Sequence, residues 1–254
     1  MSPKPMYDDS KWINPQNLLQ FCNTNEAFLT LPVKGVVIEL PGLGGGSCLG
    51  GSMEFSVYDS AYTRELGAKG ILAAYLFPGP WSWGNKGAVR YNDAVVNAIA
   101  RKYDLPASFP LVVCGGSMGG LGALLYAADT TLPLSGVAAA CPCIDVIDRL
   151  DSDPSFPRTF LSAAFVYDLP LEDALKAISP LERIADLPNI PYLISNDGAD
   201  EVFPEAQCDA YIEKLRARGL TVEYLPQPGL KHGEFFPEIR DRLHQFLLEH
   251  ASAM

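Results

Sequence analysis

The sequence predicts an α/β fold in which a mostly parallel central sheet is flanked by helices on both faces. Apolar runs alternate with amphipathic stretches from about residue 33 onward, and glycine or proline follows most of the runs. Short, mostly apolar runs are typical of strands that are buried on both faces. Six such runs predict strands at 36–40, 71–77, 109–114, 135–140, 192–195 and 222–225.

The stretches between these strands predict helices. Apolar positions in 87–103 recur every three or four residues, which places them on one helical face. A small-residue stretch at 118–129 follows the third strand directly. The remaining helices are predicted at 57–67, 172–178, 204–218 and 234–249.

The composition is that of a globular enzyme-sized chain, with 254 residues, 48% hydrophobic residues and a net charge of −11. We expect a single domain over residues 1–254. Because an acidic surface repels phosphate backbones, nucleic acid is not an expected partner. The opening residues MSPKPMYDDSKW lack an apolar leader core, and no apolar run reaches the ~18 residues of a membrane span. These features predict a cytoplasmic protein without membrane association.

Residues 146–187 interrupt the alternation of strands and helices. They contain four prolines, several aromatic residues and one short predicted helix at 172–178. We interpret this segment as a lid or cap inserted near the site. An ordinary long connection is the alternative interpretation.

The cysteines and glycines do not indicate a metal or nucleotide site. Cys141 and Cys143 form CxC rather than a CxxC pair, and the chain has only three histidines. The glycine-rich run GLGGGSC at 42–48 lacks the G-K-[ST] of a phosphate-binding loop. We therefore expect buried free thiols, no metal and no organic cofactor.

A candidate nucleophile lies between the third strand and the following helix. Ser117 is the serine of G-x-S-x-G, formed with Gly115 and Gly119. On a tight strand-to-helix turn, such a serine projects its hydroxyl above the sheet, and side chains at the two glycine positions would crowd that turn. The helix N-terminus also directs its partial positive charge at the site.

A serine hydroxyl needs a base, and His232 is the candidate because it follows the last strand. The other histidines fall in the last predicted helix. A third group must hold the imidazole in one tautomer. The segment after strand 192–195 offers Asp197, Asp200 and Glu201, and the residues alone leave these three carboxylates open.

Acyl transfer also requires two N–H donors for the carbonyl oxygen, on which negative charge develops. The backbone N–H of Met118, directly after the nucleophile, is the first candidate. For the second donor we favour Leu43 in the glycine-rich loop, followed by Gly44.

The sequence resembles the α/β-hydrolase superfamily and, within it, the prolyl-oligopeptidase-like and dienelactone-hydrolase-like serine hydrolases. The resemblance extends over nearly the whole chain from about residue 33. The stretches that carry it are GGSMGG around Ser117, SPL at 179–181, PYLISNDGADEVFP ending at Pro204, and KHGEF around His232.

The resemblance implies a role for Asp200, because NDGADEVFP lies over the family pattern HGxxDxxVP, whose aspartate belongs to the triad. Asn196 and Asp197 replace the histidine and glycine of that pattern, and Pro41-Gly42 replaces the usual histidine-glycine of the oxyanion loop. The true prolyl oligopeptidases carry a large N-terminal propeller, for which this chain has no room. The resemblance therefore implies a stand-alone catalytic domain with an open or lightly lidded site that prefers esters.

Trp81 and Trp83 follow the second predicted strand and border the predicted site. They either stack on an aromatic or sugar substrate or pack the loop. The predicted function is that of a serine esterase acting on a small-molecule ester. A peptidase or amidase acting on short peptides and a non-catalytic binding protein are the alternatives.

Overall fold

The structure is a computed structural model and describes residues 8–50 and 58–252. In these ranges, seven strands form one sheet in the order β1-β3-β2-β4-β5-β6-β7. The strands are β1 (Cys22–Thr24), β2 (Gly35–Leu40), β3 (Ile71–Leu76), β4 (Leu111–Gly116), β5 (Gly136–Ala140), β6 (Tyr192–Asp197) and β7 (Val222–Gln227). Strand β1 is antiparallel to β3, and the other neighbouring strands are parallel. The predicted fold class is therefore confirmed.

Helices flank this sheet. The described α-helices are α1 (Ala61–Ala68), α2 (Lys86–Lys102), α3 (Met118–Asp129), α4 (Val146–Arg149), α5 (Phe156–Ala164), α6 (Leu171–Ala177), α7 (Glu205–Ala217) and α8 (Pro237–Ala251). Short 3₁₀ helices lie at Leu18–Gln20, Glu26–Phe28, Phe165–Tyr167 and Pro180–Asp186. None of the helices in the described ranges is both long and apolar enough to cross a bilayer.

Helix α1 starts later than the sequence predicts. The expected start at residue 57, like the first seven residues of the opening segment, lies outside the described residues. Ser60 caps α1, since its hydroxyl accepts the N–H of Thr63 while the Thr63 hydroxyl accepts the N–H of Ser60. This reciprocal pair satisfies two otherwise unpaired N–H groups and fixes the start at Ala61.

Strands β2 to β6 are buried on both faces, as the mostly apolar runs predict, whereas the edge strand β7 is only partly buried. In β2, Val36 and Ile38 belong to the core cluster that contains side chains of α2, α3 and α7. Val37 belongs to the cluster on the other face, which contains side chains of α8. Burial of each such side chain contributes about 1.5–3 kcal/mol, so the two clusters fix the sheet between its helical layers.

Residues 146–187 contain more helix than the sequence predicts, since α4 and α5 precede the expected α6. Their prolines suggest a loop, yet Pro157 lies in the first turn of α5, where proline is tolerated. Apolar side chains of the three helices form a third cluster with Trp83, Met118 and Phe203. The segment thus packs against the start of α3 and against loops at the carboxyl edge of the sheet.

That edge collects the predicted site residues, because parallel strands place all their carboxyl ends on one side. Ser117 directly follows β4, Asp200 follows β6, and His232 follows β7. Three separate strands therefore deliver the three side chains to one place.

Candidate active site

Ser117 occupies a strained turn between β4 and α3. Its backbone has φ 57° and ψ −123°, a conformation that costs a residue with a side chain about 1–3 kcal/mol. A Cβ at Gly115 would lie 2.5 Å from the carbonyl of Gly119, and one at Gly119 would lie 2.1 Å from the carbonyl oxygen of Leu40. Both glycines of the G-x-S-x-G motif are therefore required by the close approach of the backbone.

Hydrogen bonds connect this serine to the predicted base and acid. The hydroxyl of Ser117 lies 2.9 Å from Nε2 of His232, and Nδ1 of His232 lies 2.7 Å from Oδ2 of Asp200. The other oxygen of the buried Asp200 accepts the backbone N–H groups of Val202 and Phe203. With the carboxylate fixed in this way, Nδ1 keeps its proton, and Nε2 can accept the proton of the serine.

The competing carboxylates do not contact the imidazole nitrogens. Asp197 is buried and accepts hydrogen bonds from the Gly233 N–H at 2.8 Å and from Nε2 of Gln227 at 2.7 Å. Burial raises the pKa of Asp197 to about 6. Glu201 is exposed. Asp197 thus holds the loop that carries the histidine, and Asp200 holds the histidine itself.

The predicted oxyanion donors flank the serine. Met118 begins α3, so its N–H precedes the hydrogen-bond ladder of that helix. Leu43 is 36% exposed and lines the same cavity as Ser117. Its loop is closed by hydrogen bonds from the Gly42 N–H to the Gly46 carbonyl and from the Gly45 N–H to the Gly42 carbonyl. Within the described residues, neither Leu43 nor Met118 donates its N–H to a protein acceptor.

A cavity of about 310 Å³ opens over the serine. Its wall consists of Gly42, Leu43, Gly46, Ser47, Cys48, Trp83, Gly116, Ser117, Cys141, Phe156, Val202, Phe203, His232, Gly233 and Phe235. The wall contains no aspartate, glutamate, lysine or arginine. The cavity therefore suits an uncharged, apolar group of a substrate.

The two predicted pocket tryptophans have different places. Trp83 is fully buried, lines the cavity and contacts Phe160, with the ring centroids 4.4 Å apart. Trp81 lies outside the cavity wall, with the guanidinium of Arg158 over its ring at 4.8 Å. The aromatic wall residues Phe156, Phe203 and Phe235 are not identified by the sequence, because they come from distant segments that only the fold brings together.

One group of side chains has the composition of a metal site. Ligand atoms of Cys141, Asp197 and His232 lie within 4.8 Å of one another. Asp197 is already bonded to Gly233 and Gln227, and both imidazole nitrogens are bonded within the serine–histidine–aspartate chain. Burial also raises the pKa of the Cys141 thiol, which disfavours the thiolate that a metal would need. We assign no metal to this group.

The chain matches the prolyl oligopeptidase family over residues 81–253. Puromycin hydrolase has a similar fold, with a TM-score of 0.68 and 22% identity over 86% of this chain and 34% of its own. Esterase B from Lactobacillus rhamnosis gives a TM-score of 0.62 and 14% identity over 87% of this chain and 78% of its own. Acylaminoacyl peptidase from Pyrococcus horikoshii gives a TM-score of 0.66 and 14% identity over 87% of this chain and 37% of its own.

At these identities, the similarity to the solved structures is one of fold, and it confirms the α/β-hydrolase fold. The chain spans about a third of the length of puromycin hydrolase, with 34% covered. No curated protein matches the sequence. The similar structures include both peptidases and esterases, and the family supports a serine hydrolase.

Proposed function

Because the chain belongs to the prolyl oligopeptidase family, we propose that it is a serine hydrolase that cleaves carboxylic esters through an acyl-enzyme on Ser117. The main support is the chain of hydrogen bonds from Ser117 through His232 to Asp200. Ser117, at one end of this chain, lines an apolar cavity. A hydroxyl on a strained turn beside a fixed imidazole is arranged for nucleophilic attack.

In the proposed mechanism, His232 takes the hydroxyl proton as Ser117 attacks the ester carbonyl carbon. Asp200 stabilises the resulting imidazolium, and the N–H groups of Leu43 and Met118 receive the oxyanion. The imidazolium then gives its proton to the leaving alcohol, and the acyl group stays on the serine. Water, activated by the same imidazole, releases the acid and restores the free hydroxyl. No step requires a metal or organic cofactor.

The cavity supports a neutral small-molecule ester as substrate. Its volume of about 310 Å³ admits a small or medium acyl or aryl group, and its wall carries no carboxylate or ammonium for a charged substrate group. We propose that Trp83 contacts the acyl or aryl group. Trp81, at the edge of the neighbouring cluster, then meets only substrates that extend beyond the cavity.

We also propose that residues 146–187 form a lid on a single domain. Support comes from the third apolar cluster, in which Phe156 and Phe160 pack with Trp83 and Phe203. Phe156 belongs both to this cluster and to the cavity wall. Movement of the segment would therefore change access to Ser117.

A peptidase or amidase is the second candidate. It is favoured by the family name and by the similarity to puromycin hydrolase and acylaminoacyl peptidase. The same triad cleaves either bond, so the preference depends on the pocket and on the leaving group. A non-catalytic binding protein is disfavoured, because the hydrogen bonds from Ser117 to Asp200 would then have no use.

The test is hydrolysis of p-nitrophenyl esters of increasing acyl length by the wild type and Ser117→Ala. We expect kcat to fall on the order of 10⁴–10⁶-fold in the variant. Ser108→Ala, which changes an exposed serine outside residues 146–187, is the matched control and should keep full activity. Equal rates in wild type and Ser117→Ala would contradict the proposal. Faster cleavage of dipeptide amides than of every ester would favour the peptidase.

A further inference from the structure

One buried carboxylate near the site has no part in the proposed triad. Glu39 is the fifth of six residues in β2 and is fully buried. No lysine, arginine or histidine within the described residues forms an ion pair with it. A carboxylate in this position costs more to bury than an apolar side chain of the same size.

Its hydrogen-bond partners all belong to one loop. The hydroxyl of Ser47 lies 2.9 Å and 3.0 Å from the two carboxylate oxygens of Glu39. The backbone N–H groups of Cys48 and Leu49 donate to Oε1 at 2.6 Å and 3.3 Å. Glu39 therefore satisfies two backbone donors and one hydroxyl of the segment that follows its own strand.

This loop, residues 41–50, forms one side of the cavity, and five of its residues belong to the cavity wall. The segment is rich in glycine, and Gly44 and Gly45 have positive φ, so its conformation is costly to fix in entropy. Apart from its internal turn, it is tied by the hydroxyl of Tyr75, which donates to the Gly45 carbonyl at 3.1 Å, and by the hydroxyl of Tyr58, which lies 3.2 Å from the hydroxyl of Ser47. The bonds to Glu39 anchor its second half.

We infer that Glu39 is a positioning residue that holds the glycine-rich loop so that the Leu43 N–H faces Ser117. The inference rests on the proposed function, since it concerns the oxyanion donor of that reaction. Glu39 does not belong to the cavity wall, so it acts through the loop.

The surroundings of Glu39 suggest a sharp pair of variants. Among the described residues, the titratable groups beside it are the thiols of Cys48 and Cys114 and the hydroxyl of Tyr75. Burial raises the pKa of Glu39 to about 7, so its neutral form is present near neutrality. Glutamine can therefore replace it, with Oε1 accepting the two backbone N–H groups and Nε2 donating to the hydroxyl of Ser47. Leucine keeps the volume and removes every hydrogen bond.

The experiment compares Glu39→Leu with Glu39→Gln on the best p-nitrophenyl ester. Because loss of one oxyanion donor typically lowers kcat about 10²–10³-fold, we expect Glu39→Leu to lose at least about tenfold in kcat, with KM within about threefold. Glu39→Gln should stay within about threefold of wild type. Glu26→Leu is the matched control: it breaks bonds to Lys102 and Tyr103 outside the cavity wall, so it should lower stability and spare kcat.

Hydrogen exchange of the wild type provides a second measurement that does not depend on a folded leucine variant. The amides of Cys48 and Leu49 should be protected, and Glu39→Gln should preserve that protection. Free exchange of both amides, full kcat in Glu39→Leu, or equal impairment of the two variants would overturn the inference. A wild type that neither turns over esters nor reacts at Ser117 would refute the proposed function and with it the catalytic role of Glu39. If the wild type is active and any of these three results is found, the inference about Glu39 is refuted and the proposed function still stands.

Discussion

Two loops meet over Ser117, and each is fixed by a buried carboxylate at a strand end. Residues 41–50 are held by Glu39, which lies on the strand that precedes them. Residues 228–236 are held from the neighbouring strand, where Asp197 at the end of β6 accepts the N–H of Gly233. Neither loop contains regular secondary structure. Backbone N–H groups of both loops therefore donate to these carboxylates, where the N–H groups of a strand or helix would donate to backbone carbonyls.

The loops differ in what they deliver to the site. In the proposed mechanism, residues 41–50 present the backbone N–H of Leu43, whereas residues 228–236 present the side chain of His232. Substitution of the side chain should therefore be tolerated at Leu43 and should abolish activity at His232. The comparison teaches that residue type identifies a functional position only where the side chain performs the chemistry.

Removal of the imidazole should have the largest effect. We expect His232→Ala to lower kcat on p-nitrophenyl esters on the order of 10⁴–10⁶-fold, because the serine loses its base. His250→Ala is the control, since this histidine lies in the last turn of α8 and packs on Phe246. Unchanged turnover in His232→Ala would contradict the assignment of His232 as the base.

The two aspartates after β6 should differ in the size of their effect. Asp200→Asn should lower kcat about 10³–10⁴-fold, because the amide favours the wrong imidazole tautomer. Asp197→Asn weakens the hydrogen bonds from Gly233 and Gln227, and it should cost about tenfold in kcat at most. Steady-state kinetics of both variants measures the difference, and a larger loss at Asp197 would reverse the assignment.

The glycine-rich loop should respond to loss of an N–H and not to loss of a side chain. Leu43→Pro removes the proposed oxyanion donor, and we expect a loss of about 10²–10³-fold in kcat. Leu43→Ala keeps the N–H and should stay within about threefold. Equal losses in the two variants would assign the effect to the side chain and remove Leu43 from the oxyanion hole.

The smallest effect concerns stability. Because burial raises the pKa of Asp197 from 3.8 to about 6, the folded state binds this proton more tightly than the unfolded state. Its contribution to the free energy of unfolding is present below about pH 4 and is lost as the pH rises through about 6. As the pH rises across this window, the free energy of unfolding of the wild type should therefore fall by at most about 3 kcal/mol relative to that of Asp197→Asn. Urea unfolding between pH 4 and 7 measures the difference.

A control with the opposite sign is available at Glu26. The pKa of this carboxyl lies below its usual value. Burial acts to raise the pKa, but the hydrogen bonds from Lys102 and Tyr103 together have the larger effect. Its contribution to stability is therefore present above pH ~4.5 and is lost as the pH falls. A wild type that gains stability relative to Asp197→Asn as the pH rises would contradict the account of Asp197.

Much of this edge of the sheet follows from the sequence. Mostly apolar runs predict buried parallel strands, and a serine between two close-packed glycines marks the turn after β4. His232 is identifiable because it is the one histidine that follows a strand. Glu39 carries a weaker signal, as a single charged residue within the buried run VVIEL.

Other features depend on contacts between distant segments. Asp197 and Asp200 lie three residues apart, and only the path of the chain after β6 decides which one meets the imidazole. Phe156 and Phe235 reach the cavity from separate parts of the chain, and no local pattern indicates this. Helix α5 is missed because prolines at 154 and 157 favour a loop, and α4 has only four residues, too few to show a helical period.

The most direct test of the central claim is reaction of the wild type with a fluorophosphonate, followed by peptide mapping by mass spectrometry. We expect one adduct, on Ser117, which is absent in Ser117→Ala and forms far more slowly in His232→Ala. A correctly folded wild type that gives no adduct, or an adduct on another residue, would contradict the claim that Ser117 is the nucleophile.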